Sequence, residues 1–395
     1  MKKITLKRNE DRRIRNGHLW VFSNEIERTE EAIDNGELVQ VIDSKGGLIG
    51  TGFYNKNSLI SVRILNAGNI DDLQEVFRKN ILNAFQLRKE LYPDGNSYRL
   101  SFSESDFLPG LIIDRYNNTY VLQIYSYGME KNVSLIVEIL KEELNAENIF
   151  TKNEDYFRTL EGLPSGDTVY FGEVKNELIN DGAVDYLINF EKGHKTGFYF
   201  DQRDNRFFIE KLVNGKNVLD AFCNSGGFGL HAAKADAAKV TFVDSSANEI
   251  ESAKENYRIN NFTAETEFTE EDVFNYLEKT AGAGKKFDVV MVDPPAFAKS
   301  RKNIPTAKKG YERLNKLALQ CVSGGGYLVT SSCSYHITRD DFIESLNNAS
   351  VKAGRHIQLV YFNSASMDHP KLPAMPETSY LKFGVFKVSG DIKIS

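Results

Sequence analysis

The sequence predicts an α/β protein whose C-terminal half is a doubly wound, Rossmann-like sheet, preceded by a small β-barrel and an α+β central domain. Strands and helices alternate from about residue 184 onward, which is typical of a parallel sheet with helices on both faces. The earliest residues instead alternate apolar and polar side chains between tight turns. At 395 residues the chain is also too long for one compact core. We therefore predict domains over residues 1–70, 71–185 and 186–395.

In the first two domains, turn residues and periodicity predict the elements in order. The glycine pair at 46–47 separates short alternating strands, which indicates a barrel. Apolar positions at helical spacing over 70–92 predict a helix that leads into the central domain. There, residues 98–126 predict a strand, a loop, a strand, a turn and a strand, and residues 133–144 predict a helix. Together they predict a small α+β domain.

The C-terminal domain is predicted as five parallel strands and a closing pair. A Gly-rich turn and a helix follow the first strand, and helical patterns separate the later strands. The five strands are expected within 216–222, 239–246, 266–277, 286–295 and 325–332, and the closing pair within 356–365 and 379–388.

Composition and charge exclude several classes of protein. The chain has 49 lysine and arginine residues and 55 aspartate and glutamate residues, so its formal net charge is 49 − 55 = −6. This does not exclude a nucleic-acid partner, because nucleic acid is bound by local basic patches rather than by net charge. Three widely spaced cysteines suit neither a disulfide framework nor a metal site, which indicates a reducing compartment. Neither a signal peptide nor an apolar stretch of membrane-spanning length is recognisable. We expect a cytoplasmic protein without a membrane or metal partner.

The turn after the first C-terminal strand is the first candidate site. Its glycines let the backbone turn sharply at the strand end where open α/β sheets bind ligands. Asp244, about 20 residues on, can accept hydrogen bonds from a ribose. Asp272 can accept from an adenine amino group or cap the following helix. The residues expected to bind the cofactor are Asp220, Phe222, Asn224, Ser225, Gly226, Gly227, Asp244, Ser245 and Asp272.

This loop favours S-adenosylmethionine over a nicotinamide dinucleotide. It lacks the G-x-G-x-x-G pattern, and the Asp220 carboxylate would repel a pyrophosphate. The same carboxylate suits a ligand that carries an ammonium and a sulfonium. The alternative is a plain strand-to-helix turn that packs the core, because glycine pairs are common in such turns.

The second candidate site combines Asp293-Pro294-Pro295 after the fourth strand with Cys333 after the fifth. Two prolines cannot continue a central strand. They therefore hold the Asp293 carboxylate at the rim formed by the carboxyl ends of the strands, where it can accept a hydrogen bond from the amino edge of a base. Neighbouring parallel strands end at one rim, so Cys333 is expected beside Asp293. Phe297 either stacks on a base or packs. The inert alternative for Cys333 is a half-buried thiol.

A thiol at this rim suits methylation of cytosine at C5. A thiolate that adds to C6 makes C5 an enamine-like nucleophile, which takes a methyl group from a sulfonium. A base then removes the C5 proton and the cysteine leaves. We therefore expect Cys333 and Asp293 to be catalytic, whereas Cys223 and Cys321 are expected to pack.

These residues together resemble the bacterial 23S rRNA (cytosine-5) methyltransferases that carry an N-terminal PUA domain. The likeness covers nearly the whole chain: "KTGFYFDQRDNR", "DAFCNSGGFG", "DPPAFAKS" and "TSSCS" stand in the family's order and spacing. It implies a class I methyltransferase sheet over 186–395 and a PUA-like RNA-binding barrel over 1–70. It also implies large-subunit rRNA as partner, S-adenosylmethionine as cofactor and a homodimer.

The resemblance assigns roles to single residues as well. It implies that Cys333 is the nucleophile and that Asp244 takes the ribose of the cofactor. The other positions that it places at the cofactor are Phe200, Asp201, Gln202, Arg203, Asp293 and Pro294. Relatives of another branch carry a second cysteine where this chain has Pro294-Pro295, so product release here cannot rely on a second thiol.

Basic residues in two clusters are the expected RNA contacts. One cluster follows the Asp-Pro-Pro turn, where phosphates flanking a flipped nucleotide would lie; the expected substrate contacts there are Pro295, Phe297, Lys299 and Arg301. The other comprises Lys2, Lys3, Lys7, Arg8, Arg12, Arg13 and Arg15. The alternative for each is solvated surface charge.

Three rival functions remain open. An rRNA methyltransferase acting on guanine N7 or an exocyclic amine needs no thiol. An RNA-binding assembly factor with a vestigial cofactor fold would not bind S-adenosylmethionine. A dehydrogenase would bind a nicotinamide cofactor instead.

Overall fold

The computed structural model describes residues 1–29, 32–191, 193, 195–298 and 300–391. Contacts divide the chain into two units, and each is built from separate stretches of sequence. The first consists of Met1–Ile179, Ile188–Phe200 and Met367–Thr378, and the second of Asn180–Leu187, Asp201–Ser366 and Ser379–Ser395. The predicted division into three domains stays a prediction.

The first unit begins with the predicted set of short strands. They form a six-stranded sheet in the order β2-β6-β5-β4-β1-β3, in which β1 runs parallel to β4 and the other pairs are antiparallel. Apolar side chains at alternate positions, such as Val39 and Val41, are fully buried on one face. The elements are β1 Lys3–Leu6, α1 Arg12–Arg15, β2 Trp20–Phe22, β3 Ile26–Thr29, β4 Leu38–Ile42, β5 Leu48–Tyr54 and β6 Ile60–Asn66.

The central part of this unit confirms the predicted helices and strands. Its five-stranded sheet has the order β11-β10-β9-β8-β7. Asp72 caps the first helix by accepting from the amides of Gln74 and Glu75. The elements are α2 Leu73–Leu91, β7 Ser97–Phe102, β8 Leu111–Tyr116, β9 Thr119–Ile124, α3 Tyr127–Lys131, α4 Val133–Leu144, β10 Asn148–Thr151, α5 Asp155–Glu161 and β11 Val169–Phe171.

A late stretch of sequence, Met367–Thr378, completes the first unit. The fully buried Asp368 accepts a hydrogen bond from the backbone amide of Arg99 through Oδ2 at 2.9 Å. Its carbonyl accepts from Nη2 of the buried Arg88 at 2.7 Å. Arg88 also forms a bidentate ion pair with Asp106. Because such a network is costly to leave half satisfied, this stretch is an integral part of the unit.

The second unit carries the predicted doubly wound sheet. Its strand order is β16-β15-β14-β17-β18-β20-β19; the first five are parallel, and β20 is antiparallel to both neighbours. The elements from Glu177 onward are β12 Glu177–Asn180, β13 Asp185–Ile188, α6 Arg203–Val213, β14 Asn217–Ala221, α7 Gly227–Lys234, β15 Lys239–Asp244, α8 Ala247–Ile259, β16 Glu265–Glu270, α9 Val273–Gly282, β17 Phe287–Val292, α10 Ile304–Cys321, β18 Val322–Ser332, α11 Arg339–Ala353, β19 Arg355–Asn363 and β20 Lys382–Asp391.

This strand order positions the candidate site. The chain turns one way from β14 to β15 and the other way to β17, so the sheet has its topological switch point between β14 and β17. Ligands of open α/β sheets bind outside the carboxyl ends of the strands at this point. Strands β17 and β18 are adjacent and parallel, as predicted, with Val292 opposite Thr330.

Helix α7 packs against β15 at a position that requires glycine. A Cβ atom added at Gly229 would lie 2.1 Å from Cε1 of Phe242 on β15. The helix therefore approaches the sheet more closely than any larger residue would allow. This contact fixes the start of α7, and with it the loop that precedes the helix.

A buried histidine on α7 joins three parts of the second unit. The His231 ring contacts Oδ2 of Asp181 at 2.8 Å and Oε1 of Glu210 at 2.7 Å. Burial alone would lower the pKa of His231, but these two carboxylates outweigh it and raise that pKa. The ring is thereby held between α6 and the turn after β12.

Candidate active site

The loop between β14 and α7 has the strained backbone of a ligand-binding turn. Phe222, Asn224 and Gly226 all have positive φ, at 62°, 49° and 91°. Only glycine adopts this region without cost, and strained non-glycine residues cluster at functional sites. The amide of Gly226 closes the turn on the carbonyl of Cys223 at 2.8 Å. The carbonyl of Ser225 is held by Nδ2 of Asn256 at 3.1 Å.

Asp244, at the end of β15, secures this loop from the neighbouring strand. Its Oδ2 accepts from the amide of Asn224 at 3.0 Å, and its Oδ1 accepts from the amide of Ser246 at 3.0 Å. The side chain remains half-buried, and the adjacent Ser245 is exposed. Asp244 therefore stands at the mouth of the loop, where its carboxylate has lone pairs left for a ligand.

Asp220, on β14 beneath the loop, is almost completely buried. Its Oδ2 accepts from the amide of Gly229 at 2.7 Å, which ties the strand to the first turn of α7. Burial raises the pKa of Asp220 to about 7, and the negative charges of Asp293 and Asp244 add to this effect. The protein alone thus leaves this carboxylate only partly ionised near neutral pH.

Asp293 follows β17 and is held from two directions. Gln202 donates from Nε2 to its Oδ2 at 3.1 Å, and the hydroxyl of Ser331 donates to its Oδ1. Burial raises the pKa of Asp293 to about 6, while the Ser331 hydrogen bond opposes the rise. The carboxylate is therefore fixed in orientation, and its pKa of about 6 lies within about one unit of neutral pH.

Asp201 adds an unsatisfied carboxylate oxygen to this group. Its Oδ2 accepts from the hydroxyl of Tyr380 at 2.5 Å, and its carbonyl accepts from the amide and hydroxyl of Ser366. Its Oδ1 is buried and has no hydrogen-bond partner among the described residues. A buried oxygen of this kind is costly without a donor or cation, so it is available for a ligand.

The electrostatics of this rim match a cationic ligand. Asp201 raises the pKa of Asp293, and Asp293 and Asp244 raise the pKa of Asp220, so the carboxylates repel one another. A ligand with a sulfonium and an ammonium would relieve this repulsion, whereas a pyrophosphate would increase it. The residues present therefore fit S-adenosylmethionine and do not fit a dinucleotide.

Cys333 lies directly across from the Asp-Pro-Pro turn. Its Sγ is 3.8 Å from the carbonyl oxygen of the buried Pro294, the residue after Asp293, and its side chain is half-buried. The other two cysteines are buried, and burial raises the pKa of both. Of the three thiols, Cys333 alone combines exposure with a position at the rim of β17 and β18.

Other predicted site residues lie in varied surroundings. Asp272 is exposed and caps α9 by accepting from the amide of Asn275 at 3.0 Å. The Phe297 ring packs against Tyr311, with 4.6 Å between ring centroids. Arg203, at the start of α6, and Gly227, at the start of α7, are both buried.

The predicted substrate contacts on either side of Phe297 are exposed where the structure describes them. Pro295 and Arg301 are exposed, as a nucleic-acid contact requires, and Lys299 lies outside the described residues. Phe200, predicted at the cofactor, belongs to the first unit, where its buried ring contacts Tyr116 and Phe198. Its observed contacts are therefore those of a packing residue.

Part of the N-terminal basic cluster is engaged in ion pairs. Arg13 donates to the Glu25 carboxylate at 2.7 Å, and Arg15 pairs with Asp11 and Asp43. Exposed members of the cluster are Lys3, Lys7, Arg8, Arg12 and Arg15. The structural alternative therefore accounts for Arg13, whose guanidinium holds the turn before β3.

Sequence reasoning did not identify several residues that shape the site. Ser331 orients Asp293, Tyr380 holds Asp201, and the buried Lys382 binds the loop of Cys333. For Ser331, the run of serines before a lone cysteine is a weak signal in the sequence. Tyr380 and Lys382 lie beside and in the last strand, far along the chain, and carry no local signal.

Two absences hold for the part of the chain that the structure describes. No group of three or more His, Cys, Asp or Glu side chains is arranged there to hold a metal ion. No described helix has both the length and the apolar character needed to cross a membrane.

Comparisons with known proteins agree with this architecture. Residues 4–67 match the family of PUA-like domains, and residues 201–326 match the family described as conserved hypothetical protein 95. The chain is 35% identical over 391 residues to ribosomal RNA large subunit methyltransferase I of Pseudoalteromonas atlantica, covering 98% of this chain and 99% of the relative. It is 36% identical to the protein of the same name from Shewanella amazonensis, with the same coverage.

A solved structure shows the same fold. SMU.776, described as a candidate methyltransferase complexed with SAH, superimposes with a TM-score of 0.84 at 19% identity. The match covers 98% of this chain and 100% of that chain. The PUA-like barrel and the Rossmann-like methyltransferase sheet predicted from the sequence are therefore confirmed.

Proposed function

Because the chain belongs to the ribosomal RNA large subunit methyltransferase I family, we propose that it methylates C5 of a cytosine in 23S rRNA through a covalent adduct at Cys333. As a member of this family, the chain is a large-subunit rRNA methyltransferase with S-adenosylmethionine as its cofactor. We propose cytosine as the target base and C5 as the methylated atom.

The placement of Cys333 is the observation that carries it. Its Sγ stands 3.8 Å from the Pro294 carbonyl, so the thiol faces the turn that also bears Asp293. Methyl transfer to a ring nitrogen or an exocyclic amine needs no thiol at this rim. Addition to C6 of a pyrimidine does, because C5 is otherwise too weak a nucleophile.

The proposed reaction assigns roles to two groups of the chain, Cys333 and Asp293. The Cys333 thiolate would add to C6, and the electron pair of the C5–C6 double bond would move to C5. C5 would take the methyl group that the cofactor supplies, and the sulfonium would leave as a neutral thioether. Asp293, oriented by Gln202 and Ser331, accepts a hydrogen bond from the amino edge of the base. Loss of the C5 proton to a base then restores the double bond and expels the thiolate. The resemblance implies that relatives of another branch carry a second cysteine at the place of Pro294-Pro295, so the thiolate would be released here without a second thiol.

The carboxylate rim is proposed to bind the cofactor. S-Adenosylmethionine supplies an electrophilic methyl group when bound. Asp244 would hold the ribose and the loop from Phe222 to Gly227 would surround the nucleoside, while Asp220 and the free oxygen of Asp201 would face its positive charge. Gln202 keeps the Asp293 carboxylate pointed at the same rim. Asp272 is free to accept from adenine through the oxygen that does not cap α9.

RNA contacts are proposed at the exposed residues beyond the rim. Pro295 and Arg301 are exposed, and Arg301 offers a guanidinium to phosphates that flank the target nucleotide. Phe297 contributes to the RNA site by supporting the turn through its contact with Tyr311. We also propose that the protein is cytoplasmic and forms a homodimer. Light scattering of the purified chain would measure its oligomeric state.

The experiment compares Cys333→Ala with Cys321→Ala, which removes a buried thiol away from the rim. Each protein is expressed in cells that lack the endogenous gene, and 23S rRNA is digested to nucleosides for mass spectrometry. The wild type and Cys321→Ala are expected to produce 5-methylcytidine, while Cys333→Ala loses at least about 10³-fold in rate. In vitro, RNA with 5-fluorocytidine should leave a stable adduct on Cys333, because the fluorine cannot leave as a proton.

Three results would count against the proposal, each in a different way. Full 5-methylcytidine formation by Cys333→Ala would remove the covalent mechanism but keep the activity. A different methylated nucleoside, such as 7-methylguanosine or an N-methylated base, would replace C5 chemistry altogether. Failure of the purified chain to bind S-adenosylmethionine in calorimetry would favour an assembly factor.

A further inference from the structure

A buried lysine lies beside the candidate nucleophile. Lys382 is the first residue of β20 and pairs across the sheet with Ser332, the residue before Cys333. It is only 7% exposed. Lysine is almost never buried unless it is paired, so its position requires an explanation from its partners.

The amine of Lys382 is bound by two neutral carbonyls. Its Nζ donates to the carbonyl of Ser334 at 2.6 Å and to the carbonyl of Tyr380 at 2.6 Å. Ser334 directly follows Cys333, so the amine is tied to the loop that presents the thiol. Neither hydrogen bond supplies a counter-charge, so an ammonium at this position needs a nearby negative group.

Two such groups act on Lys382 electrostatically. Burial lowers the pKa of Lys382 to about 8, and the negative charges of Cys333 and Asp341 oppose that fall. Asp341, at the start of α11, is shared with Nζ of Lys308 at 3.0 Å and with the amide and hydroxyl of Thr338. From α10, Tyr311 contributes a neutral hydroxyl that hydrogen-bonds the Ser334 side chain at 2.8 Å. Since Asp341 is already engaged, a Cys333 thiolate is the natural counter-ion.

We propose that Lys382 is a positioning residue for the proposed reaction: it orders the Cys333 loop and stabilises the thiolate that attacks the base. The neutral amine takes the thiol proton, so that an amine and a thiol become an ammonium and a thiolate, and no other reactant is needed. This inference deepens the proposed function and rests on it only for the methylation step.

The first test needs neither RNA nor cofactor, so it is independent of the proposed function. Alkylation of Cys333 by iodoacetamide is followed by mass spectrometry of its peptide from about pH 6 to pH 10. Lys382→Met keeps the apolar stem but removes the charge. Lys387→Met is the control, since Lys387 lies on the same strand but makes a solvent-exposed hydrogen bond to Gly325. We expect the pH midpoint of alkylation to rise by about one unit in Lys382→Met and to stay unchanged in Lys387→Met.

The wild-type protein provides a measurement that survives a folding failure of the variant. Its Cys333 should be alkylated with a lower pH midpoint when folded than in urea. A folded midpoint at or above the unfolded one would overturn the proposal, and so would an unchanged midpoint in a folded Lys382→Met.

The second test concerns methylation itself. Lys382→Met should lose about tenfold in methylation rate at pH 7.5 and recover most of that loss by pH 9, where the thiolate forms unaided. A loss that stays constant with pH would indicate a merely structural lysine and refute the inference. If no variant, wild type included, methylates rRNA, the proposed function fails while the alkylation result still decides the role of Lys382.

Discussion

The titration of Asp220 should make cofactor binding depend on pH. A carboxyl group with a pKa of about 7 is about one-tenth ionised at pH 6 and about nine-tenths ionised at pH 8. If affinity for a cation follows the ionised fraction, Asp220 contributes roughly a ninefold gain over this range. Asp293, with a pKa of about 6, passes from half to almost full ionisation and adds about twofold. The product is roughly 20-fold, or about 1.8 kcal/mol.

Asp220→Asn is the perturbation that isolates the larger contribution. The asparagine has nearly the same shape, and its side-chain oxygen can still accept from the amide of Gly229. The charge, however, is lost at every pH. We expect the increase in affinity between pH 6 and pH 8 to shrink to about twofold, with most of the loss at the alkaline end.

Calorimetric titration of S-adenosylmethionine at pH 6, 7 and 8 and fixed ionic strength measures this. The ligand's own amino group also titrates near this range, but it does so with both proteins, so the ratio of their affinities removes its contribution. Asp94→Asn, which neutralises an exposed carboxylate in the first unit, is the control. The reasoning would be refuted if Asp220→Asn kept the full pH dependence of the wild type.

Three further perturbations follow from the packing and hydrogen bonds of the second unit. His231→Gln should destabilise the protein most below about pH 6.5. Because the folded pKa of His231 is raised, the stabilisation by His231 is lost as pH rises through that folded value. Urea unfolding at pH 6 and pH 9 measures this, and a difference in stability that does not change with pH would count against it. Gly229→Ala should lower the free energy of unfolding by about 1–3 kcal/mol, because the added methyl group overpacks the contact with β15. Gly282→Ala should raise that free energy by up to about 1 kcal/mol, because its position in α9 is helical and the space around its Cβ is open. Equal effects of the two variants in thermal denaturation would contradict the packing argument. Ser331→Ala should raise the pKa of Asp293 further above about 6, because it removes a hydrogen bond that lowers this pKa. The acidic limb of the methylation pH–rate profile should then move to higher pH. An unshifted limb would show that Asp293 is not the group that titrates there.

Much of the fold could be predicted because its signals are local. The alternation of apolar strands with helices predicted the order of β14 to β18, and the neighbouring positions of β17 and β18 followed from the rules of doubly wound sheets. The same rules predicted that Asp293 and Cys333 would end at one rim. Only the adjacency of the two strand ends was needed for this, and β17 and β18 are consecutive strands on the same side of the switch point.

Helix α11 was not predicted, although its start carries a recognisable signal. Thr338 and Asp341 form a reciprocal capping box, and Gly354 ends the helix in the left-handed conformation. The helix is polar over much of its length and follows closely on the candidate nucleophile, so the segment was interpreted only through its serines and cysteine. It matters for the site because the charge of Asp341 opposes the lowering of the Lys382 pKa by burial.

The polar partners of the site could not be predicted, because they join residues far apart in sequence. Gln202 reaches Asp293 across 91 positions, and Tyr380 reaches Asp201 across 179. Such hydrogen bonds depend on side-chain directions that only the packed unit defines. Fractional burial, which raises the pKa values of Asp220 and Asp293, is likewise a property of the whole fold.

The interleaved course of the chain has a consequence for its biosynthesis. The first unit needs Met367–Thr378, and Asp368 in that stretch supplies acceptors for Arg88 and for the Arg99 amide. During translation the first unit must therefore wait, with a buried arginine lacking its final acceptor, until residues 367–378 have left the ribosome. Neither unit can be released by one proteolytic cut or expressed by simple truncation, and a nonsense mutation anywhere before Met367 would leave both unfinished.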